Sequence, residues 1–178
     1  MLSKIRHYVD RPTLKSIYHA IFESHLYYSS LVWSQNSNSI KRLYILQKKA
    51  LRIMYFQERN AHTGPLFKDL GILKLFDKVS LENCKLISKS LRKELPAVLN
   101  NCFTLSSNVH NHYTRLSNLG LLNVPSHNTK TYGRYSVSVN AIYIWNYLQN
   151  QFTDLIFSNL TTNKLKEILK NYFINRYL

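Results

Sequence analysis

Glycine and proline are scarce in this chain, with only four of each among 178 residues. Because both residues interrupt regular backbone structure, their scarcity favours long regular elements. Apolar residues recur at helical spacing in five stretches, at about residues 13–33, 40–55, 75–93, 138–151 and 162–177. The length of 178 residues suits one domain with a core or two small lobes, and a hydrophobic content of 45% argues against a disordered tail. The sequence therefore predicts a mainly α fold.

Local signals mark where these helices begin and end. Asp10 precedes the first long helix as its N-cap, with Pro12 in the first turn. Pro65 opens a short helix that Gly71 ends, and Pro96 stops the helix that begins near Leu75. From residue 102 to 135 no helical period survives, and Asn, Ser, Thr and His dominate. We expect a loop-rich segment with short extended pieces here, followed by two C-terminal helices.

Positive charge is concentrated in the first half of the chain. The formal net charge is +15, and residues 1–93 hold 17 basic but only 6 acidic residues. Such an excess favours an anionic partner, either nucleic acid or an anionic membrane surface. No apolar run approaches the length of about 20 residues that a bilayer requires, so the sequence predicts no membrane span.

The helix predicted over residues 40–55 carries much of this charge on one side. At about 100° per residue, Lys41, Lys48 and Arg52 share a stripe, with Arg42 and Lys49 beside it. The opposite side gathers the apolar residues Leu43, Leu46, Ala50, Ile53 and Met54. This pattern predicts a helix that docks through its apolar side and turns its basic stripe outward, either as a solvated back or toward a polyanion.

The sequence shows no sign of its own chemistry. Its nine carboxylates are scattered, and it contains no glycine-rich phosphate loop and no nucleophile elbow. The close pair His110 and His112 lacks an evident third ligand, and neither Cys84 nor Cys102 belongs to a CxxC motif. We therefore expect no catalytic residue, metal, cofactor or small-molecule substrate. Two cysteines suit a reducing compartment, which predicts an intracellular protein, in nucleus or cytoplasm.

An ordered series of motifs resembles a known family. Tyr28 to Trp33 reads Tyr-x3-Val-Trp, and Leu46 to Arg52 reads Leu-Gln-Lys-x-Ala-x-Arg. Val109 to Arg115 and Tyr132 to Asn146 follow, the latter with the pattern Tyr-Gly-x2-Ser…Trp-Asn. In this order they resemble the C-terminal region of the reverse transcriptase of jockey-like non-LTR retrotransposons, over nearly the whole chain.

The resemblance implies a division into three parts. Residues 1–60 correspond to a thumb-like helical pair that holds the template–primer duplex, residues 61–101 to a helical continuation, and residues 102–178 to a C-terminal extension. The family's aspartate pair lies in the palm, upstream of this region, so a non-catalytic fragment is expected, whose partners are RNA or an RNA–DNA duplex and the missing palm and fingers. Residues 141–144 replace a Gly-Pro turn of many relatives, which predicts a helix that reaches Trp145.

These observations together nominate a set of nucleic-acid contacts. The candidates are Lys41, Arg42, Lys48, Lys49 and Arg52 on the basic helix, and Arg115, Lys130 and Arg134 in the polar segment. Tyr44 and Tyr55 either stack on a nucleic acid or pack on the adjacent helix, and Trp33 and Trp145 are expected core anchors. Two other interpretations stay open: an inert retroelement relic, and a basic module for anionic membranes or proteins.

Overall fold

The computed structural model of the chain describes residues 2–28, 30–34, 37–109, 119–129, 133, 135–152 and 154–177. Helices make up 65% of this part, which contains no strand, so the predicted mainly α fold is confirmed. None of the helices described there is long and apolar enough to cross a membrane. The chain divides into two compact units, here called unit 1 (Met1–Lys78 and Lys170–Leu178) and unit 2 (Val79–Leu169). The three-part division expected from the resemblance stays a prediction.

Unit 1 is built mainly from the N-terminal helices. They are α1 (Leu2–Ile5), α2 (Arg11–Ile17), a π-helical segment (Tyr18–Glu23), α3 (Ser24–Tyr27), α4 (Ser30–Trp33), α5 (Ser37–Met54) and α6 (Gly64–Leu70). The predicted cap of α2 is confirmed, because Asp10 Oδ1 accepts a hydrogen bond from the Thr13 backbone N–H at 3.2 Å. The end of α6 is confirmed as well, since Gly71 has a φ of 63° in the left-handed region that glycine favours.

The prediction of one continuous helix over residues 13–33 is wrong. The π-helical segment widens the helix after Ile17, and the backbone leaves the helical region at Tyr28, where ψ is 119°. The short helix α4 follows, and the indole N–H of Trp33 donates to the Tyr28 carbonyl at 2.9 Å. Trp33 is half-buried, so it anchors this break rather than filling the core.

A buried glutamine holds the centre of unit 1 together. Gln47 is fully buried in α5, and its side-chain N–H groups donate to the Tyr18 hydroxyl at 3.1 Å and the Leu73 carbonyl at 3.0 Å. Its Oε1 accepts a hydrogen bond from the Leu75 backbone N–H at 2.9 Å. Because a buried amide is costly unless it is hydrogen-bonded, these three bonds fix the register between α5 and the turn that follows α6.

Unit 2 contains most of α7 (Leu75–Leu91), then α8 (Ala97–Asn100), α9 (Val137–Gln149) and most of α10 (Thr162–Asn175). The two predicted C-terminal helices are therefore present. An isolated antiparallel bridge between Leu105 and Leu122 supplies the expected short extended pieces. The core centres on Trp145, whose ring meets Phe157 edge-on at 5.4 Å, and both side chains are fully buried.

The Trp-Asn motif has a structural task in unit 2. The indole of Trp145 donates to the Gly120 carbonyl at 3.3 Å. The Asn146 amide pairs with both backbone groups of Leu122, at 2.8 Å and 2.9 Å. The prediction that a helix reaches Trp145 is confirmed, because α9 runs through residues 141–144 without a break. The motif thus ties the loop 120–122 to α9.

Two further features of unit 2 concern side-chain packing. Gln149 is buried, donates to the carbonyls of Phe152 and Leu155, and accepts from the Phe157 backbone N–H at 2.8 Å. Cys84 is completely buried in α7, and this burial raises the pKa of its thiol, whereas Cys102 is exposed. The two free cysteines therefore occupy opposite environments.

Candidate nucleic-acid interface

The face that α5 buries differs from the predicted one. Its buried residues are Ile40, Gln47, Ala50, Leu51 and Met54, whereas Leu46 is 49% exposed and Leu43 and Ile53 are half-buried. The centre of the buried face is therefore rotated by about 65° from the prediction, at about 100° per residue. The reason is the three hydrogen bonds of Gln47, which turn a polar position inward and leave part of the apolar side uncovered.

Three of the five predicted cations on α5 lie open to solvent. Lys41, Arg42 and Lys49 are exposed, and α5 contains no acidic residue. They lie over a length of about 12 Å at 1.5 Å per residue. Their charges are therefore available to an anionic partner without prior rearrangement.

Lys48 and Arg52 are instead engaged within the protein. The Lys48 ammonium lies over the Tyr44 ring, 4.8 Å from its centroid. Arg52 is half-buried, and its Nε–H donates to the Ala61 carbonyl at 2.9 Å, which ties the loop after α5 back onto the helix. Both residues retain positive charge, but their side chains have structural tasks as well.

The two tyrosines near the stripe pack on the protein itself. Tyr44 stacks on Phe67 and meets the edge of Phe76, with ring centroids 6.2 Å and 5.3 Å apart. The Tyr55 hydroxyl donates to the Asp69 carboxylate, and burial together with this bond raises the pKa of Tyr55 to about 12. Of the two roles open for these residues, packing is the one that their rings perform here.

Aromatic rings are frequent partners of the cations in unit 1. Its described residues include six contacts of a cation with a ring: Arg6–Phe56, Arg11–Tyr55, Lys48–Tyr44, Lys74–Tyr177, Lys78–Tyr27 and Arg176–Tyr172. Such contacts occur about once per 70–80 residues in proteins. A ring orders a cation without cancelling its charge, so unit 1, with 15 basic and 5 acidic residues, keeps its positive field.

Three lysines lie near His19, whose ring also contacts the Glu23 carboxylate, and this group was not found from the sequence. Burial is the main cause that lowers the pKa of His19, and the nearby charges of Lys15, Lys170 and Lys78 lower it further. Lys15 and His19 share a helix face four residues apart, a signal that the sequence does contain. Lys78 and Lys170 are distant in sequence, so only the fold reveals that they join this group.

One polar cavity of unit 1 has its groups already paired. It measures about 260 Å³ and is lined by Lys74, Phe76, Asp77, Phe173, Arg176 and Tyr177. The Tyr177 hydroxyl donates to Asp77 Oδ2 at 2.6 Å and accepts from the Lys74 backbone N–H at 2.9 Å. Burial raises the pKa of Asp77. This arrangement anchors α10 against the start of α7 and gives no acid–base pair for catalysis.

Part of the predicted site falls on residues that the structure does not describe. Arg115, Lys130 and Arg134 lie outside the described residues, as do His110 and His112. Within the described ranges, no three His, Cys, Asp or Glu side chains gather as a metal site. The structure therefore brings together the candidates on α5 and leaves those of the polar segment as predictions.

Comparisons with known proteins found no match. No protein-family model, curated protein or solved structure matches the chain.

Proposed function

We propose that unit 1 binds RNA or an RNA–DNA duplex through backbone phosphates, with Lys41, Arg42 and Lys49 as its principal contacts. The observation that carries the proposal is the exposure of these three cations on a helix without acidic residues. The ordered motifs quoted above support a second part of the proposal, that the chain is the thumb-like C-terminal portion of a non-LTR retrotransposon reverse transcriptase.

Phosphate contacts of this kind position a duplex and do not read its sequence. A duplex presents several phosphates over the length of about 12 Å that separates Lys41 from Lys49. In this proposal the chain holds nucleic acid without acting on it chemically, and the aspartate pair belongs to the palm of the parent polymerase. Lys48 and Arg52 add to the positive electrostatic field, and they also stabilise α5 and the loop that follows it.

Filter binding of an RNA–DNA duplex across a salt series tests the proposal. Each lost phosphate contact reduces the slope of log affinity against log salt by about 0.9, so the triple variant Lys41→Glu/Arg42→Glu/Lys49→Glu should reduce it by about 2 to 3. Its affinity at low salt should fall about tenfold or more.

A matched control distinguishes this surface from bulk charge. The variant Lys89→Glu/Lys164→Glu/Lys166→Glu makes the same change of net charge at exposed positions of unit 2. It should retain most of the affinity and salt slope. Equal losses in both variants, or an affinity of the parent protein that salt does not change, would overturn the proposal.

A further inference from the structure

An apolar groove runs along α5 within unit 1. Two adjoining cavities, of about 360 Å³ and 570 Å³, share Ile21 and Phe22 as lining residues. One wall is the side of α5 that carries Leu43, Leu46, Ala50 and Ile53. The other wall is formed by Leu2, Ser3, Ile17, His25, Leu26 and Trp33, together with the two shared residues.

The groove exists because two elements depart from regular packing. The π-helical segment lies on one wall and leaves Ile21 46% exposed. On the other wall, the rotation of α5 leaves Leu46 49% exposed. Contiguous exposed apolar side chains on both walls mark an interaction surface more often than an accident of packing. π-Helical segments are also frequent at functional sites.

The dimensions of the groove suit a helix. From Leu43 to Ile53 the wall of α5 extends about 15 Å at 1.5 Å per residue, which is about three helical turns. An amphipathic helix that lies in such a groove contacts it through residues spaced i, i+3 or i+4, and i+7. A floor of aliphatic and aromatic side chains offers nothing to a phosphate backbone, so nucleic acid does not fit it.

The charge of the groove selects the kind of helix. The described lining residues include one cation, Lys49, and no acidic side chain. Arg42, exposed on the same helix as Lys49, adds positive charge beside it. A second copy of this chain would bring the same cations against these, which disfavours it. We propose that the groove docks an amphipathic helix of a partner protein, apolar on one face and flanked by Asp and Glu.

Fluorescence anisotropy with the full chain tests this inference. The probe is a labelled helical peptide of about four turns, with leucines on one face and glutamates along both edges. The control peptide has lysines in place of the glutamates. We expect saturable binding of the glutamate peptide, at least about tenfold tighter than that of the lysine peptide.

Two variants on opposite walls, Ile21→Gln and Leu46→Gln, should each weaken binding about tenfold, the loss expected for one buried leucine or isoleucine contact. Tyr147→Gln, at an exposed position of unit 2, is the matched control and should bind like the parent. Circular dichroism and urea midpoints confirm that the variants are folded. Because both sites are exposed, one folded variant is sufficient for the comparison.

Several results would overturn the inference. They are equal binding of both peptides, unchanged binding by the Ile21→Gln and Leu46→Gln variants, and self-association of the parent that Leu46→Gln abolishes, which would assign the groove to a second copy. The groove shares Lys49 and Arg42 with the proposed nucleic-acid surface, but the apolar contacts and Lys41 separate the two. Leu46→Gln should leave duplex affinity unchanged, and Lys41→Glu should leave peptide affinity unchanged.

Discussion

Among the residues that the structure describes, units 1 and 2 each bury one glutamine amide, and each amide satisfies three groups of the chain that folds around it. Gln47 bonds to Tyr18, Leu73 and Leu75, while Gln149 bonds to Phe152, Leu155 and Phe157. In both units a helix therefore holds a neighbouring segment by a polar clamp set within an apolar core. The shared device shows that these cores are specified by hydrogen bonds as well as by hydrophobic burial.

The two units differ in the groups that several of their cations contact. Cations of unit 1 lie over aromatic rings, as Lys48 does over Tyr44. In unit 2, Lys85 pairs with the Glu82 carboxylate at 2.7 Å. A carboxylate neutralises its partner, whereas a ring does not. Rings therefore order several cations of unit 1 without offsetting the net charge of +10 that its 15 basic and 5 acidic residues give.

The largest effect should come from the loss of Trp145 in unit 2, and Trp33 in unit 1 provides the comparison. Trp145→Ala should lower the free energy of unfolding by about 3–5 kcal/mol, because it empties the core of unit 2. Trp33→Ala should cost less than about 2 kcal/mol, since Trp33 is only half-buried. Equilibrium urea denaturation measures both values. Similar losses in the two variants would contradict the difference in burial described here.

The paired glutamines allow the shared clamp to be tested in both units. Gln47→Leu and Gln149→Leu should each lower the free energy of unfolding by about 2–3 kcal/mol, because buried backbone groups lose their partners. Gln57→Leu, at an exposed position, is the control and should change it by less than about 0.5 kcal/mol. If only one buried substitution is costly in urea denaturation, the two clamps are not equivalent.

The stability of unit 1 should fall at alkaline pH because of Tyr18. Burial raises the pKa of this phenol from 10.0 to about 12, although the bond with Gln47 opposes the shift. Between these values the unfolded chain releases the proton that the folded chain retains, so stability falls as pH rises from about 10 to 12. The loss should be on the order of 2 kcal/mol.

Urea denaturation at several alkaline pH values measures this dependence. The Tyr18→Phe variant has no phenol to ionise, so its free energy of unfolding should fall less steeply over the same range. Identical slopes for the variant and the parent would show that Tyr18 ionises equally in both states.

The smallest effect concerns the partners of single cations. A double-mutant cycle with Lys48→Gln and Tyr44→Leu should give a coupling of about 0.5–1 kcal/mol. The corresponding cycle for Lys85 and Glu82 in unit 2 should give about 0.3–0.5 kcal/mol, and high salt should remove it. A coupling near zero for Lys48 and Tyr44 would remove the distinction between the two units.

Local signals allowed much of the fold to be predicted. The Asp10 cap, the Gly71 terminus and the helix through residues 141–144 depend on neighbours within a few residues, so the sequence reveals them. The rotation of α5 could not be predicted in this way. It depends on hydrogen bonds from Gln47 to residues 26 and 28 positions away, which a helical-period pattern does not contain.

The same limit applies to the candidate site. Helical spacing predicted Lys41, Lys48 and Arg52 as the outward stripe, with Arg42 and Lys49 beside it. Of these five residues, Lys41, Arg42 and Lys49 are exposed, whereas Lys48 and Arg52 are half-buried. The tasks of Lys48 and Arg52 depend on Tyr44 and Ala61, and a stripe of charge alone does not identify such partners. The apolar groove likewise could not be predicted from the sequence, because it arises from a π-helical segment that the apolar spacing did not indicate.

The two cysteines of unit 2 differ in exposure, so their reaction with a thiol reagent can report how often this unit opens. A thiol-reactive dye should modify Cys102 at once in the native protein, because that side chain is exposed. Cys84 reacts only when the surrounding helices open, since its thiol is fully enclosed. The delay between the first and the second modification therefore measures how often this part of the chain opens. The frequency of local opening can thus be measured in the native sequence, without an engineered label.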